Sequence, residues 1–323
     1  MHPSQVLFQG QVSPVFLPVC DHYAGSEKLM CKSMALQNEL GAVFDITFDC
    51  EDGAASGNEL EHARLVGRLI NSEENRLHRI GVRVHDSQSP FFEQDVVTVL
   101  DKAATELAYI VLPKVQSAIQ ISKAIVSINA IARASGRENL PVHVIIETHD
   151  ALADVQRIAA EPQVKCLSFG IMDFVSSHVG AIPANAMRSP GQFTHPLVMR
   201  AKLEIAAACH RFGKTPSHNV TTEINDASVV SVDATRAMLE CGYTRMWSIH
   251  PSQIKPILKA MSPRSAEINE AVTILTEAQR AHWGPIQVNG RLHDRASYRH
   301  YWMLLKKAQL IKLSLPNSAQ QFL

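Results

Sequence analysis

This chain has no excess of positive or negative charge. Lys+Arg and Asp+Glu both total 31 over 323 residues, so the formal net charge is zero. Nucleic-acid binders normally show a basic excess or stripe. Here no run of like charges occurs, and basic residues are not interleaved with aromatics, which argues against that partner. Long apolar runs are also missing, so no bilayer span is expected. The N-terminus has no basic segment followed by an apolar one, which argues against a signal peptide. The six cysteines (Cys20, Cys31, Cys50, Cys166, Cys209 and Cys241) include no C-x-x-C pair. That removes support for a zinc ribbon or a thioredoxin-type motif. Scattered thiols with mostly apolar flanks suggest a reducing compartment, and a cytoplasmic protein is expected. No G-x-S-x-G elbow, Walker loop, G-x-G-x-x-G fingerprint or H-E-x-x-H pair occurs. Serine hydrolase, P-loop, dinucleotide-binding and zincin readings therefore lack support. Aromatics make up only 6% of the chain, with three Trp. This weakens a glycosidase, whose sugar site usually needs stacking platforms.

What is present is an alternation of strand and helix signals. Short runs rich in Val, Ile and Phe stand at Val15–Val19, Val43–Phe48, Ile80–Val84, Tyr109–Leu112, Val142–Ile146, Cys166–Phe169, Pro216–Val220 and Arg245–Ile249. Ile121, Ile125, Ile128 and Ile131 lie at helical spacing, as do Leu197, Ala201, Ile205 and Ala208. Ala227–Cys241 reads as a helix closed by Gly242. Eight such repeats predict an α/β fold of the TIM (β/α)8 barrel type over residues 1–261. A tail over 262–323 follows. Ser262-Pro263 reads as the start of a helix reaching about His282, Asn289-Gly290 as a turn, and Arg295–Leu310 as a terminal helix. A barrel does not need this helical extension, so it is expected to be a lid or an oligomerisation arm.

Several strand-like runs end in charged groups. In a parallel barrel such ends converge on one face. Glu147 and Asp173 would follow adjacent strands, and two carboxylates there suit Mg²⁺, which takes hard oxygen ligands and keeps positions for water and substrate. The alternative is that each caps a following helix. Arg83 ends the third run and can hold a carboxylate or an enolate oxygen, or pair with Asp49, Glu51 or Asp52. Those three acids end the second run, where they can orient Arg83 or bond to backbone. His250 after the eighth run reads as structural.

Several segments together resemble the citrate lyase β-subunit-like family, the HpcH/HpaI aldolase and malyl-CoA lyase group. Gly242-Tyr-Thr-Arg-Met-Trp-Ser-Ile-His-Pro-Ser-Gln-Ile254 is similar to the family's G-F-x-G-K-W-x-I-H-P-x-Q-I. Asp49-Cys-Glu-Asp-Gly-Ala54, Leu112-Pro-Lys-Val115, Ile146-Glu-Thr148, Phe169-Gly-Ile-Met-Asp173 and Gly290-Arg-Leu-His-Asp294 follow its other motifs in order. The resemblance implies a barrel of the phosphoenolpyruvate/pyruvate type and trimers or hexamers. It also implies Mg²⁺-dependent cleavage or formation of a C–C bond between an acyl-CoA thioester and a 2-oxo acid. By the same resemblance Glu147 and Asp173 would bind the metal, and Arg83 would contact the enolate oxygen. Asp49, Glu51 and Asp52 would support it, and Asp294 would be an acid/base reaching a neighbouring subunit's site. The chain departs from the family where Pro18-Val-Cys-Asp-His-Tyr-Ala-Gly25 replaces P-G-x-R-P, and again at Ser189–Pro196 and Ser217-His-Asn219. Two alternatives therefore stay open: an aldolase on a free hydroxy-oxo acid without CoA, and a subunit of a larger acyl-carrier complex.

Overall fold

The computed structural model describes residues 1–8 and 16–323 and divides into two compact units. The larger, Leu17–Met261, contains a closed barrel of eight parallel strands in sequence order. These are β1 (Cys20–Ala24), β2 (Asp45–Asp49), β3 (Ile80–Arg83), β4 (Leu107–Leu112), β5 (Val142–Ile146), β6 (Val164–Phe169), β7 (Thr215–His218) and β8 (Arg245–Ser248). The barrel closes where Cys20, Asp21 and His22 pair with Met246, Trp247 and Ser248. Helices follow the strands, as parallel connections require. The helix Ala118–Ala134 buries Ile121, Ile125 and Ile128. The helix Ala227–Cys241 ends on Gly242, whose φ of 73° is the left-handed conformation that glycine adopts without a Cβ penalty.

The first strand lies later than the apolar pattern predicts. Val15 falls outside the described residues, and Phe16–Val19 precede the strand. The strand is the polar-looking Cys20-Asp-His-Tyr-Ala24, buried at every position. It is buried because the barrel interior is itself ionic. Arg245 of β8, fully buried, lies 2.9 Å from Asp21 of β1 and 2.6 Å from Asp45 of β2. The hydroxyls of Thr47 and Tyr109 donate to Asp21 Oδ1 at 2.8 and 3.0 Å. Buried charges are tolerable only when paired and hydrogen-bonded in this way.

The smaller unit joins Met1–Phe16 with Ser262–Leu323. Sequence reading groups the N-terminal residues with the barrel. The structure instead packs Val6 and Leu7 among Ile268, Ala271, Leu275 and Trp302, because a four-residue helix at Pro3–Val6 buries apolar surface only against those helices. Ser262-Pro263 does not cap the next helix. That helix is Ser265–Arg280, and Glu267 reaches back to the Arg264 backbone N–H. Asn289-Gly290 turns a short antiparallel hairpin of Ile286–Val288 and Arg291–His293. The final helix, Arg295–Leu310, buries Tyr298, Trp302, Leu305 and Ala308. Among the described residues no helix is long and apolar enough to cross a membrane.

Candidate active site

Five of the six acidic groups singled out in the sequence stand at the carboxyl ends of barrel strands. Asp49 and Arg83 are the last residues of β2 and β3, directly paired in register. Arg83 donates through Nε and Nη2 to the two carboxylate oxygens of Asp49 at 2.8 and 2.6 Å, a bidentate fork. Its Nη1 lies 3.1 Å from Glu51 Oε2, an ion pair without hydrogen-bond alignment. Asp49 also accepts from the backbone N–H groups of Glu51 and Gly53 at 3.0 and 2.9 Å. It is therefore a fixed orienter of Arg83, with its own lone pairs consumed.

Glu147 directly follows β5, and Asp173 lies four residues past the end of β6. The two strands pair up to Ile146 opposite Phe169. Glu147 is buried, and Oε1 accepts the backbone N–H of Lys114 at 2.6 Å. Burial pushes its carboxyl up to about 8; the Lys114 N–H opposes this, and the nearby charge of Asp173 adds to it. Asp173 sits in the first turn of the helix Ile171–Ser176 but makes no side-chain cap there, so the capping alternative does not account for it. Gly170 lies between the two acids in sequence. A Cβ built on it would stand 2.2 Å from Glu147 Oε2, so only glycine lets the carboxylate occupy that place.

Lys114 has no role assigned by the sequence alone. Its φ is +50°, uncommon for a side-chain-bearing residue. That conformation follows Pro113 and directs the backbone N–H to Glu147, while Nζ hydrogen-bonds Glu51 and reaches Asp52 at 2.8 Å. One residue thus ties the β2 acids to the β5 acid. The signal was present as the Leu112-Pro-Lys-Val115 motif, but spacing alone says nothing of a left-handed lysine. Burial alone would raise the Asp52 carboxyl; hydrogen bonding and charge from Lys114 outweigh it and hold the group low. Beside these groups a cavity of about 480 Å³ opens, lined by Glu51, Asp52, His62, His85 and Lys114 among others. His85 is fixed there by Asp95, which accepts from both its backbone N–H and Nδ1 at 2.9 and 2.7 Å. His250 caps a short turn through Ser252, as the structural reading expects.

Asp294 belongs to the smaller unit. It caps the final helix, accepting from the N–H groups of Ala296 and Ser297 at 3.0 and 3.3 Å.

Among the described residues no group of three or more His, Cys, Asp or Glu side chains stands together as a metal cage. The donor set does fit Mg²⁺, which is commonly bound by one or two carboxylates and otherwise by water and substrate. A buried carboxylate whose neighbour is a second carboxylate, as Glu147 is, gains most from a cation placed between them.

Comparison with known proteins places this geometry in a family. A citrate lyase from Burkholderia xenovorans of known structure is 53% identical, covers the whole of both chains and superposes with a TM-score of 0.89. An L-malyl-CoA/beta-methylmalyl-CoA lyase from Cereibacter sphaeroides is 29% identical over 280 residues, 82% of this chain and 87% of that protein. The CitE protein of Mycobacterium tuberculosis, solved with magnesium, acetoacetate and coenzyme A, is 19% identical. It covers 91% of this chain and 98% of its own at a TM-score of 0.70, a likeness of fold. The family model described as HpcH/HpaI aldolase/citrate lyase matches residues 30–251. The chain belongs to the HpcH/HpaI aldolase/citrate lyase family and is an enzyme of its lyase type.

Proposed function

We propose that the protein is a Mg²⁺-dependent carbon–carbon lyase acting between an acyl-CoA thioester and a 2-oxo acid. The observation that carries this reading is Glu147, buried and pressed by Asp173, facing the same strand ends as an Arg83 already oriented by Asp49. Glu147 and Asp173 would hold the ion. When bound, Mg²⁺ there supplies Lewis acidity to a chelated substrate oxygen. Arg83 spends two N–H groups on Asp49 and turns Nη1 to Glu51; the remaining N–H groups on its outer edge serve the oxygen that becomes enolate. Asp49, Glu51 and Asp52 hold Arg83 and Lys114 in place. Lys114 in turn fixes Glu147 through its N–H.

Asp294 is proposed as the acid/base that moves a proton on the enolate carbon, contributed to a neighbouring copy's barrel in a trimer or hexamer. The tail from residue 262 onward then acts as the arm that carries it. Six unpaired cysteines, five of them buried, agree with a reducing, cytoplasmic setting.

Calorimetry with acetyl-CoA, pyruvate and glyoxylate, each with Mg²⁺, tests the reading. Binding of both an acyl-CoA and a 2-oxo acid is expected. Binding of oxo acids alone would instead select the aldolase on a free hydroxy-oxo acid. Co-purification of an acyl-carrier protein would select the citrate-lyase-like subunit.

A further inference from the structure

At the upper end of the barrel interior two polar groups are buried without a partner. The hydroxyl of Tyr23, on β1, and the indole N–H of Trp247, on β8, make no hydrogen bond among the described residues. Both residues are more than nine-tenths buried. Their rings pack 4.6 Å apart, in a cluster with Tyr109, Val111, Ile145 and Val220. The guanidinium of Arg83 lies 5.5 Å from the centre of the Tyr23 ring. A buried donor left unpaired forfeits its hydration without compensation, and native proteins satisfy nearly all of them. Two such donors on adjacent strands, beside the arginine of the site, are therefore a place prepared for an acceptor.

The direction of approach follows from burial. Tyr23 and Trp247 retain 7% and 8% exposure, whereas Asp21 and Arg245, one inward position earlier on the same strands, retain 1% and 0%. The open side is the one facing the strand ends. The chemistry of the acceptor follows from the lining. Both donors are neutral, and their surroundings are mostly apolar, so a full carboxylate would pay a large desolvation cost there. A carbonyl oxygen, which carries partial charge and gains more only as the reaction proceeds, suits a neutral donor pair.

We propose that Tyr23 and Trp247 form a donor pair for the thioester carbonyl oxygen of the acyl substrate, sharing that oxygen with Arg83. This rests on the lyase reading above. Tyr23 lies in Pro18–Gly25, the segment where the chain departs from the family pattern, and the donor pair gives that departure a purpose. In the condensation direction the acyl C–H bond breaks and its proton leaves to the site's base. The electron pair moves into a C=C bond, and the carbonyl π pair moves onto the oxygen held by the donors. The enolate C=C pair then forms the bond to the oxo-acid carbonyl carbon, the thioester C=O re-forms, and the oxo-acid C=O π pair moves onto its own oxygen, which takes up a proton.

The test is a ¹H–¹⁵N spectrum of the tryptophan indoles in the whole protein with Mg²⁺. The chain has three Trp, and Trp247→Phe assigns the relevant resonance. Addition of acetyl-CoA or propionyl-CoA is expected to move the Trp247 indole proton downfield and leave those of Trp283 and Trp302 in place. Tyr23→Phe, which keeps the ring, is expected to lower kcat by about 10²-fold with little change in KM. Acyl-CoA binding seen by calorimetry with an unmoved Trp247 resonance, or a Tyr23→Phe enzyme with unchanged kcat, would overturn the donor pair alone and leave a bound water as its partner. Failure of either acyl-CoA to bind would remove the lyase reading and the donor pair together.

Discussion

A methyl group at Gly170 would stand 2.2 Å from Glu147 Oε2 and 2.6 Å from Glu147 Cβ. Gly170→Ala must therefore displace the carboxylate and, because Cβ rides on the backbone, the end of the β5 strand with it. The expected outcome is Mg²⁺ affinity weakened at least 10-fold, in the range seen when groups that orient a ligand are changed, measured by calorimetry. Lys202 offers a separate test at the same scale. It is buried, with Nζ 2.8 Å from Gln192 Oε1 and 2.6 Å from His218 Nε2. Burial pushes its amine down to about 7, against the opposing charges of Cys241 and Asp233. An unfolded lysine titrates near 10.4, so between about pH 7 and pH 10 the unfolded chain holds the extra proton. Stability should then rise with pH across that window, by at most about 1.4 kcal/mol per unit from this group. Urea midpoints should climb from pH 7 to 9.5 in the natural protein, and this contribution should be absent in Lys202→Met. Much of the residue-level site is legible in the sequence, because a charged group at the end of a buried strand must be desolvated unless it faces a polar site. Lys114 and Gly170 are not legible. Their parts depend on a backbone φ and on a missing Cβ, neither of which has a spacing signature.

At the level of elements, seven strands stand where the apolar runs predict them, within two residues at either end. The first does not. Hydrophobic patterning assumes that a buried strand is apolar, and β1 is buried with Asp21 and His22 in it because Arg245 arrives from β8 to pair with the acid. Only the closed barrel brings those two residues together across 224 positions of chain, so no local window contains the reason. The final helix carries a test of its own. Asp294 caps it, and asparagine caps about as well as aspartate. Asp294→Asn should leave the melting temperature nearly unchanged while turnover falls by more than about 10²-fold, within the range of general acid–base catalysis. Asp294→Ala should lose about 1 kcal/mol of stability as well. Equal activity in Asp294→Asn and the natural protein would confine this residue to capping.

For the molecule as a whole, the barrel is built as an ionic centre beneath an acidic mouth. Removing the centre should cost the fold. Arg245→Ala leaves Asp21 buried without its counter-charge, while Asp45 keeps Arg79 at 2.7 Å, and a loss of about 3–5 kcal/mol is expected in urea unfolding. Removing the mouth acids should cost only the chemistry. Burial and the nearby charge of Asp173 both disfavour an ionised Glu147 in the absence of a cation, so replacing these acids spares the fold while abolishing the ion's place. Losing several kcal/mol of transition-state stabilisation corresponds to more than about 10²-fold in rate. The most direct measurement is a Mg²⁺ titration by calorimetry on the natural protein, Glu147→Ala and Asp173→Ala, with glyoxylate present. Saturable binding in the first and none in either variant is the predicted result. Equal Mg²⁺ affinity in all three would contradict the shared-ion site on which the proposed lyase chemistry depends.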